Sequence, residues 1–317
     1  MVKAKFKEGK AGPKQFSIKK ESGKILKAIV ETLAGVADET KIAINSEEFV
    51  VKAMDGSRIC LLKLSIKKED FDTYECSGDC EIGINLSDLD KILKRSSASD
   101  SIELTFNEEE QKLKVKMQRE GSTKTRTFSL NLLDTDVEEV PMGNLLKIEY
   151  ETKWTMPLQV LIEAIKDAEI YSEILNARAT EGQGLAFTSA GQIGEMEYDL
   201  PLDSLAESDL KGTNAGVYSL KFLKAIARIA PITEKLEMLL KTDYPLRMTF
   251  TLYEGGELIY FLAPRADEES GSDEETDIGS DDFEPAELPD KEPEDESKEE
   301  ESEQSEELNE EAETIDE

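Results

Sequence analysis

Apolar and polar positions over the first 265 residues follow one plan twice, at an offset of roughly 130 residues. Residues 23–36 set Ile25, Leu26, Ile29, Val30 and Leu33 on one helical face, and residues 157–168 do the same with Leu158, Leu161, Ile162 and Ile165. Each amphipathic helix is followed by a stretch with two-residue alternation, 41–66 in the first copy and 174–200 in the second, broken by turn pairs such as Asp55-Gly56 and Ala190-Gly191. A second helix follows in each. Residues 86–96 bury Leu89, Ile92 and Leu93; residues 219–230 bury Phe222, Leu223 and Ile226 and stop before Pro231. Strands at 101–106, 112–118 and 126–133 close the first copy, and strands at 236–241, 246–253 and 257–262 close the second.

This pattern predicts an α+β chain of two topologically equivalent domains, residues 1–133 and 148–265, each built as strand, helix, strands, helix, strands. Residues 134–147 are acidic, contain Pro141 and Gly143 and lack strong periodicity, which fits a connecting linker on the surface.

Charge changes the picture at one end. Residues 266–317 hold 27 acidic residues against two lysines and little that could form a core, so they are expected to be a disordered acidic tail. The net charge of −33 is therefore mostly the tail's, and the body is only mildly acidic. Within that body the helices are basic opposite their apolar faces. Lys24 and Lys27 mark the first helix, Lys91, Lys94 and Arg95 the second, and Lys221, Lys224 and Arg228 the fourth, the last three at i, i+3, i+7 spacing. A solvated surface would account for any one stripe. Stripes recurring at equivalent places suggest a surface for phosphates, read as backbone charge without base recognition. The third helix departs from this, with Val160, Glu163 and Asp167 exposed and only Lys166 basic at the flank.

Catalytic sets are missing from the sequence. There is no histidine, which removes Ser-His-Asp and Cys-His nucleophiles and most zinc sites. Cys76 and Cys80 stand in a C-x3-C spacing without a second pair, and no phosphate-binding or dinucleotide glycine motif occurs; Gly182 and Gly184, like Gly255 and Gly256, sit between strands as turns do. The expectation is a binding protein with no cofactor and no metal rather than an enzyme. A carboxylate-based, metal-dependent nuclease is the enzymatic alternative, and it requires DNA cleavage that depends on a divalent ion. Three cysteines and no signal-peptide pattern point to a reduced, intracellular setting, and no apolar run approaches the length of about 18 residues needed for a membrane helix.

Three strings carry a resemblance. Met54-Asp55-Gly56-Ser57-Arg58-Ile59, then Gly83-Ile84-Asn85-Leu86 leading into Lys91-Ile92-Leu93-Lys94, then Tyr260-Phe261-Leu262-Ala263-Pro264-Arg265 resemble motifs of the proliferating cell nuclear antigen (PCNA) family of DNA sliding clamps, in the family's order and spacing. The resemblance covers about residues 16–265 and is nearest in overall pattern to archaeal members, placing the protein at the cytoplasmic nucleoid, or in the nucleus were the source eukaryotic. It implies a homotrimeric ring around double-stranded DNA, with helices inside and antiparallel sheets outside, and with strand 125–132 of one subunit meeting strand 195–200 of the next. A mixed ring serving a checkpoint or repair is the alternative assembly. Arg265, closing the last string, is grouped with the DNA-facing residues.

The same resemblance implies a pocket for short peptide motifs of DNA polymerase, ligase and flap nuclease, and loading by a clamp loader of the replication factor C type. Position by position, that pocket comprises Met54, Ser57, Arg58, Ile59 and Leu61 from the first domain and Val140 and Pro141 from the linker. Pro245, Phe261, Leu262, Ala263 and Pro264 supply the second domain's side. Arg58 differs from the residue common among relatives, which bears on partner preference.

Overall fold

The structure of the protein, a computed structural model, describes residues 13–134, 142–233 and 235–265. Half of the expected linker, residues 135–141 with Val140 and Pro141, and the whole acidic tail lie outside the described residues. The N-terminal half runs β1 (Gln15–Lys20), α1 (Gly23–Leu33), β2 (Glu39–Ile44), β3 (Glu48–Met54), β4 (Cys60–Lys67), β5 (Thr73–Ser77), β6 (Cys80–Asn85), α2 (Leu86–Leu93), β7 (Asp100–Asn107), β8 (Lys112–Arg119) and β9 (Thr125–Asn131). A four-residue helix, α3 (Met142–Leu145), precedes the second half. That half runs β10 (Thr152–Pro157), α4 (Leu158–Ala168), β11 (Ile174–Thr180), β12 (Gly184–Gly191), β13 (Gly194–Pro201), β14 (Glu207–Asp209), β15 (Thr213–Ser219), α5 (Leu220–Ile226), β16 (Lys235–Leu240), β17 (Leu246–Thr251) and β18 (Glu257–Leu262).

The repeat seen along the sequence reappears in the strand order. One sheet runs β5-β1-β7-β8-β9 and a second runs β13-β12-β11-β15. The third joins a copy of each, β14-β10-β16-β17-β18 continuing into β4-β3-β2-β6. The join is antiparallel pairing of β18 with β4, from Glu257 opposite Ser65 to Leu262 opposite Cys60. In β4, Cys60, Leu62, Leu64 and Ile66 turn to the core at two-residue intervals, the alternation that a one-sided sheet requires.

The helices cover the inner faces of these sheets because their apolar stripes match the 3.6-residue period. Ile25, Leu26, Ile29 and Leu33 of α1 are buried, as are Leu158, Leu161, Ile162 and Ile165 of α4, each contributing about 2 kcal/mol in apolar area removed from water. Asn85 caps α2 through its side-chain oxygen, which accepts from the Asp88 N–H at 2.9 Å. The chain beyond α5 differs from the sequence expectation. The α-helix ends at Ile226 and tightens into 3-10 turns over Ala227–Ile232, and these carry Pro231 inside them rather than stopping before it. Those turns pack on α1, and Gly35 just beyond it keeps the approach close: a methyl group there would stand 2.7 Å from the movable Arg228 Nη1 and 3.0 Å from the Ala225 side chain. Among the described residues no helix is long and apolar enough to cross a membrane.

Candidate nucleic-acid interface and peptide pocket

The four long helices form one layer. α1 touches α2 on one side and α5 with its 3-10 extension on the other, and α4 packs against α5 and the same extension. At the middle of this layer Arg228 Nη1 donates across the two halves to the Glu31 carbonyl at 2.9 Å.

Except for Arg265, the cations expected from the sequence lie on this layer or at its edge. Lys24, Lys91, Lys94, Arg95, Lys166, Lys221, Lys224 and Arg228 are exposed, and Lys27 is half-buried along its stem. Several have acidic neighbours that sequence spacing alone did not weigh. Asp88 pairs with Lys91 at 2.8 Å and raises its pKa through the hydrogen bond and the charge, Asp90 pairs with Lys94 at 2.6 Å, and Glu169 from the end of α4 pairs with Lys224 at 2.5 Å. The Lys91–Asp88 and Lys224–Glu169 pairs are exposed, so a phosphate can replace the carboxylate at little cost, whereas Asp90 is buried and holds Lys94 more firmly. The α4 asymmetry is present in the structure: Glu163 and Asp167 are exposed beside Lys166. Arg265 lies apart from the helical layer, its N–H donating to the Val217 carbonyl of β15 at 2.8 Å.

The end of α2 is fixed by a group the sequence did not mark. Asp100 is fully buried and accepts from the Ser97 hydroxyl at 2.8 Å, the Ser97 N–H at 3.1 Å and Arg126 Nη2 at 2.6 Å, with Arg119 Nε at 3.5 Å. Burial alone would push its carboxyl up, but the Ser97 donors with Arg126 and Arg119 outweigh that and hold it below the usual range. Arg126 also donates to the Arg95 carbonyl at 3.0 Å, tying β9 to the basic end of α2.

On the outer side of the β4–β18 join lies a second, smaller apolar cluster. Leu61, Ile259 and Phe261 form its floor, Met142 of α3 sits on them, and Met54 and Leu145 pack at its rim. Met142 is 4% exposed and Phe261 fully buried, so α3 covers this floor. Arg247 stacks over the Phe261 ring at 5.9 Å. Beside it Tyr150 donates to the Pro245 carbonyl at 2.7 Å, its pKa pushed up to about 12 by burial although Arg247 pulls it down.

Of the expected pocket residues, Met54, Leu61 and Phe261 therefore come together, while exposed Ile59 and Ser57 belong to the turn above them. Leu262 is a correction. Strand alternation turns it to the opposite face, into the main core, so its side chain cannot line the outer pocket. Ala263 is half-buried and its N–H is already taken by the Ile59 carbonyl at 2.9 Å, while Pro264 and Pro245 are half-buried nearby. The turn itself is built by Asp55, whose carboxylate accepts from the Ser57 N–H at 2.9 Å and the Cys60 N–H at 2.6 Å; Arg58, not Gly56, takes the positive φ of 58°. Met142, Leu145, Ile259 and Arg247 were missed in the sequence. Ile259 alone carried a signal, standing two residues before Phe261 on the same face of β18.

Among the described residues no group of three or more His, Cys, Asp or Glu is placed to hold a metal ion.

Two half-sheets repeated within one chain, with a helical layer on their inner side, define the clamp class of fold. Comparison with known proteins agrees. Residues 15–140 match the family described as "Proliferating cell nuclear antigen, N-terminal domain". The DNA polymerase sliding clamp of Pyrococcus horikoshii is 30% identical over 255 residues, covering 80% of this chain and 99% of the relative, and that of Nitrosopumilus maritimus is 25% identical over the same length. The crystal structure of PCNA from Thermococcus kodakaraensis superimposes with a TM-score of 0.71 at 24% identity, covering 79% of this chain and all of the other. The chain belongs to the PCNA family of DNA polymerase sliding clamps.

Proposed function

We propose that three copies of this chain close into a ring around double-stranded DNA and act as a processivity factor, the helical layer facing the duplex and the outer cluster receiving enzymes. The observation that carries this reading is the strand pairing. β18 is the equivalent of β9 and β4 the equivalent of β13; the first pair is joined inside the chain, while β9 and β13 stand at sheet edges. Unpaired edges call for a partner, and head-to-tail pairing of β9 with β13 of the next copy repeats the internal join and closes a cycle.

The internal join also sets the register. The Leu133 N–H bonds Gly83 as the Arg265 N–H bonds Val217, and Leu113 pairs with Leu130 as Leu246 pairs with Leu262. Carrying the β18–β4 pairing across places Phe128 opposite the partner's Met196 and Arg126 opposite the partner's Tyr198. Both faces are half-buried and apolar in the single chain, since Phe128, Met196 and Tyr198 pack only partly against the core.

Lys24, Lys27, Lys91, Lys94, Arg95, Lys221, Lys224 and Arg228 would meet the phosphates as point charges, with Lys166 on the weaker α4 flank and Arg265 outside this surface. Short peptides of polymerase, ligase and flap nuclease, with aromatic and aliphatic anchors, would dock at the rim made by Met54, Ile59 and Leu145, reaching Leu61 and Phe261 as Met142 slides aside. A clamp loader of the replication factor C type would open the ring.

The test is polymerase product length on primed circular DNA with and without the protein and a clamp loader, together with native mass. A trimer that lengthens products is the expected result; unchanged lengths, or assembly only with a different chain, would overturn it.

A further inference from the structure

We propose that Cys76 and Cys80 form a dithiol–disulfide pair, oxidised by a small-molecule disulfide of the glutathione type, that staples the edge of one sheet to the edge of another. The two residues flank the turn between β5, at the edge of the five-stranded sheet, and β6, at the edge of the nine-stranded one. Their sulfurs converge. Cys76 Sγ donates to the Gly78 carbonyl at 3.1 Å and Cys80 Sγ to the same oxygen at 3.5 Å. Cys76 Sγ also reaches the carbonyl of Ile44 at 3.9 Å, and Ile44 is the residue that pairs with Cys80 across β2 and β6. Each thiol also perturbs the other's ionisation. Gly78, at φ 76°, allows the tight reversal that brings them together.

Access divides the roles. Cys80 is buried, whereas Cys76 is half-buried and borders a cleft of about 400 Å³ that Lys112, Lys114 and Glu75 also line. Cys76 is thus the sulfur an external disulfide R–S–S–R meets first. Its thiolate attacks one sulfur, one R–S⁻ leaves and takes a proton, and a mixed disulfide forms; the Cys80 thiolate then attacks Cys76 Sγ and expels the second R–S⁻. One external disulfide becomes two thiols while two protein thiols become one disulfide, so electrons and protons balance. Burial raises both thiols, Cys80 to about 11, so exchange is slow at neutral pH and speeds up roughly tenfold per pH unit as thiolate becomes available. Cys60 is an internal control: it is fully buried in the core beneath β18, with its pKa raised chiefly by that burial.

The experiment incubates the full chain in a buffer of oxidised and reduced glutathione. It begins once from the folded reduced protein and once from unfolded protein allowed to refold, so that equilibrium is approached from both sides. After acid quenching, the denatured chain is alkylated and its peptides are weighed. The expected product is a peptide joining residues 76 and 80, lighter by two hydrogens, with Cys60 alkylated. C80S should retain glutathione on Cys76, and C76S should leave Cys80 unmodified in the folded chain. Alkylation of both thiols from both starting points in an oxidising mixture, or pairing of either with Cys60 or with another chain, would overturn the proposal.

Discussion

Asp100 shows how one residue can hold two of the proposed surfaces at once. Its buried carboxylate joins the Ser97 turn at the end of α2 to Arg126 on β9, the edge proposed to meet the next subunit. Asp100→Asn keeps the shape and removes the charge, leaving Arg126 with a neutral partner. Since the Arg126 and Arg119 side chains are 45% and 66% exposed, water compensates part of the loss, and a destabilisation of about 2 kcal/mol is expected in urea unfolding. The pH dependence follows from the lowered carboxyl pKa. Its contribution is complete above the ordinary aspartate value of about 4 and is lost as pH falls below it, so wild type and Asp100→Asn should converge in stability toward acid and diverge near neutrality. Equal differences at pH 3 and pH 7 would contradict this. Met142 permits a more local test. Met142→Ala should loosen α3 by about 2 kcal/mol, raising hydrogen exchange of the 142–148 amides some thirtyfold while those of β17 stay unchanged.

At the level of elements, the two kinds of surface were not equally legible. The four long helices could be read because each buries one stripe at helical spacing, and their cations then had to stand opposite. Of the acids that pair with those cations, Asp88 and Asp90 stand at the local i,i+3 and i,i+4 spacings, but Glu169 reaches Lys224 across 55 residues, and nothing local in the sequence signals such a contact. β5 carries no buried residue and β14 has only three residues, so neither produced an apolar alternation. Leu262 was placed in the pocket by its string, whereas the two-residue period of β18 turns it inward and gives the outer face to Ile259 and Phe261. Asp100 was hidden for a different reason: residues 96–100, Ser-Ser-Ala-Ser-Asp, have the composition of an exposed loop. A prediction belongs to the helical layer as a unit. Replacing Lys91, Lys94, Lys221, Lys224 and Arg228 together by alanine should weaken duplex DNA binding and flatten its dependence on salt, while the same number of changes on the outer sheets should leave the salt slope as it was. Salt titrations of binding by fluorescence anisotropy decide between them.

For the whole molecule, the two half-sheet patterns make the chain its own template. One join is made inside the chain, and the other is offered to a neighbour by the same kinds of strand. Phe128→Glu sets a charge in the proposed contact with the partner's Met196, yet Phe128 is only half-buried in the single chain. The expected result is a folded monomer by sedimentation, with the circular dichroism of the parent and no stimulation of polymerase; a persistent trimer would refute the register. The two joins also differ in a way that strand geometry does not show. At the β18–β4 join the two edges are covalently linked and meet at an effective concentration on the order of millimolar or higher, whatever the dilution. The β9–β13 join has no such tether, and its occupancy falls with protomer concentration. In the proposed ring, the three untethered joins are therefore where DNA enters, and dilution opens the same gate that a loading factor would open by force.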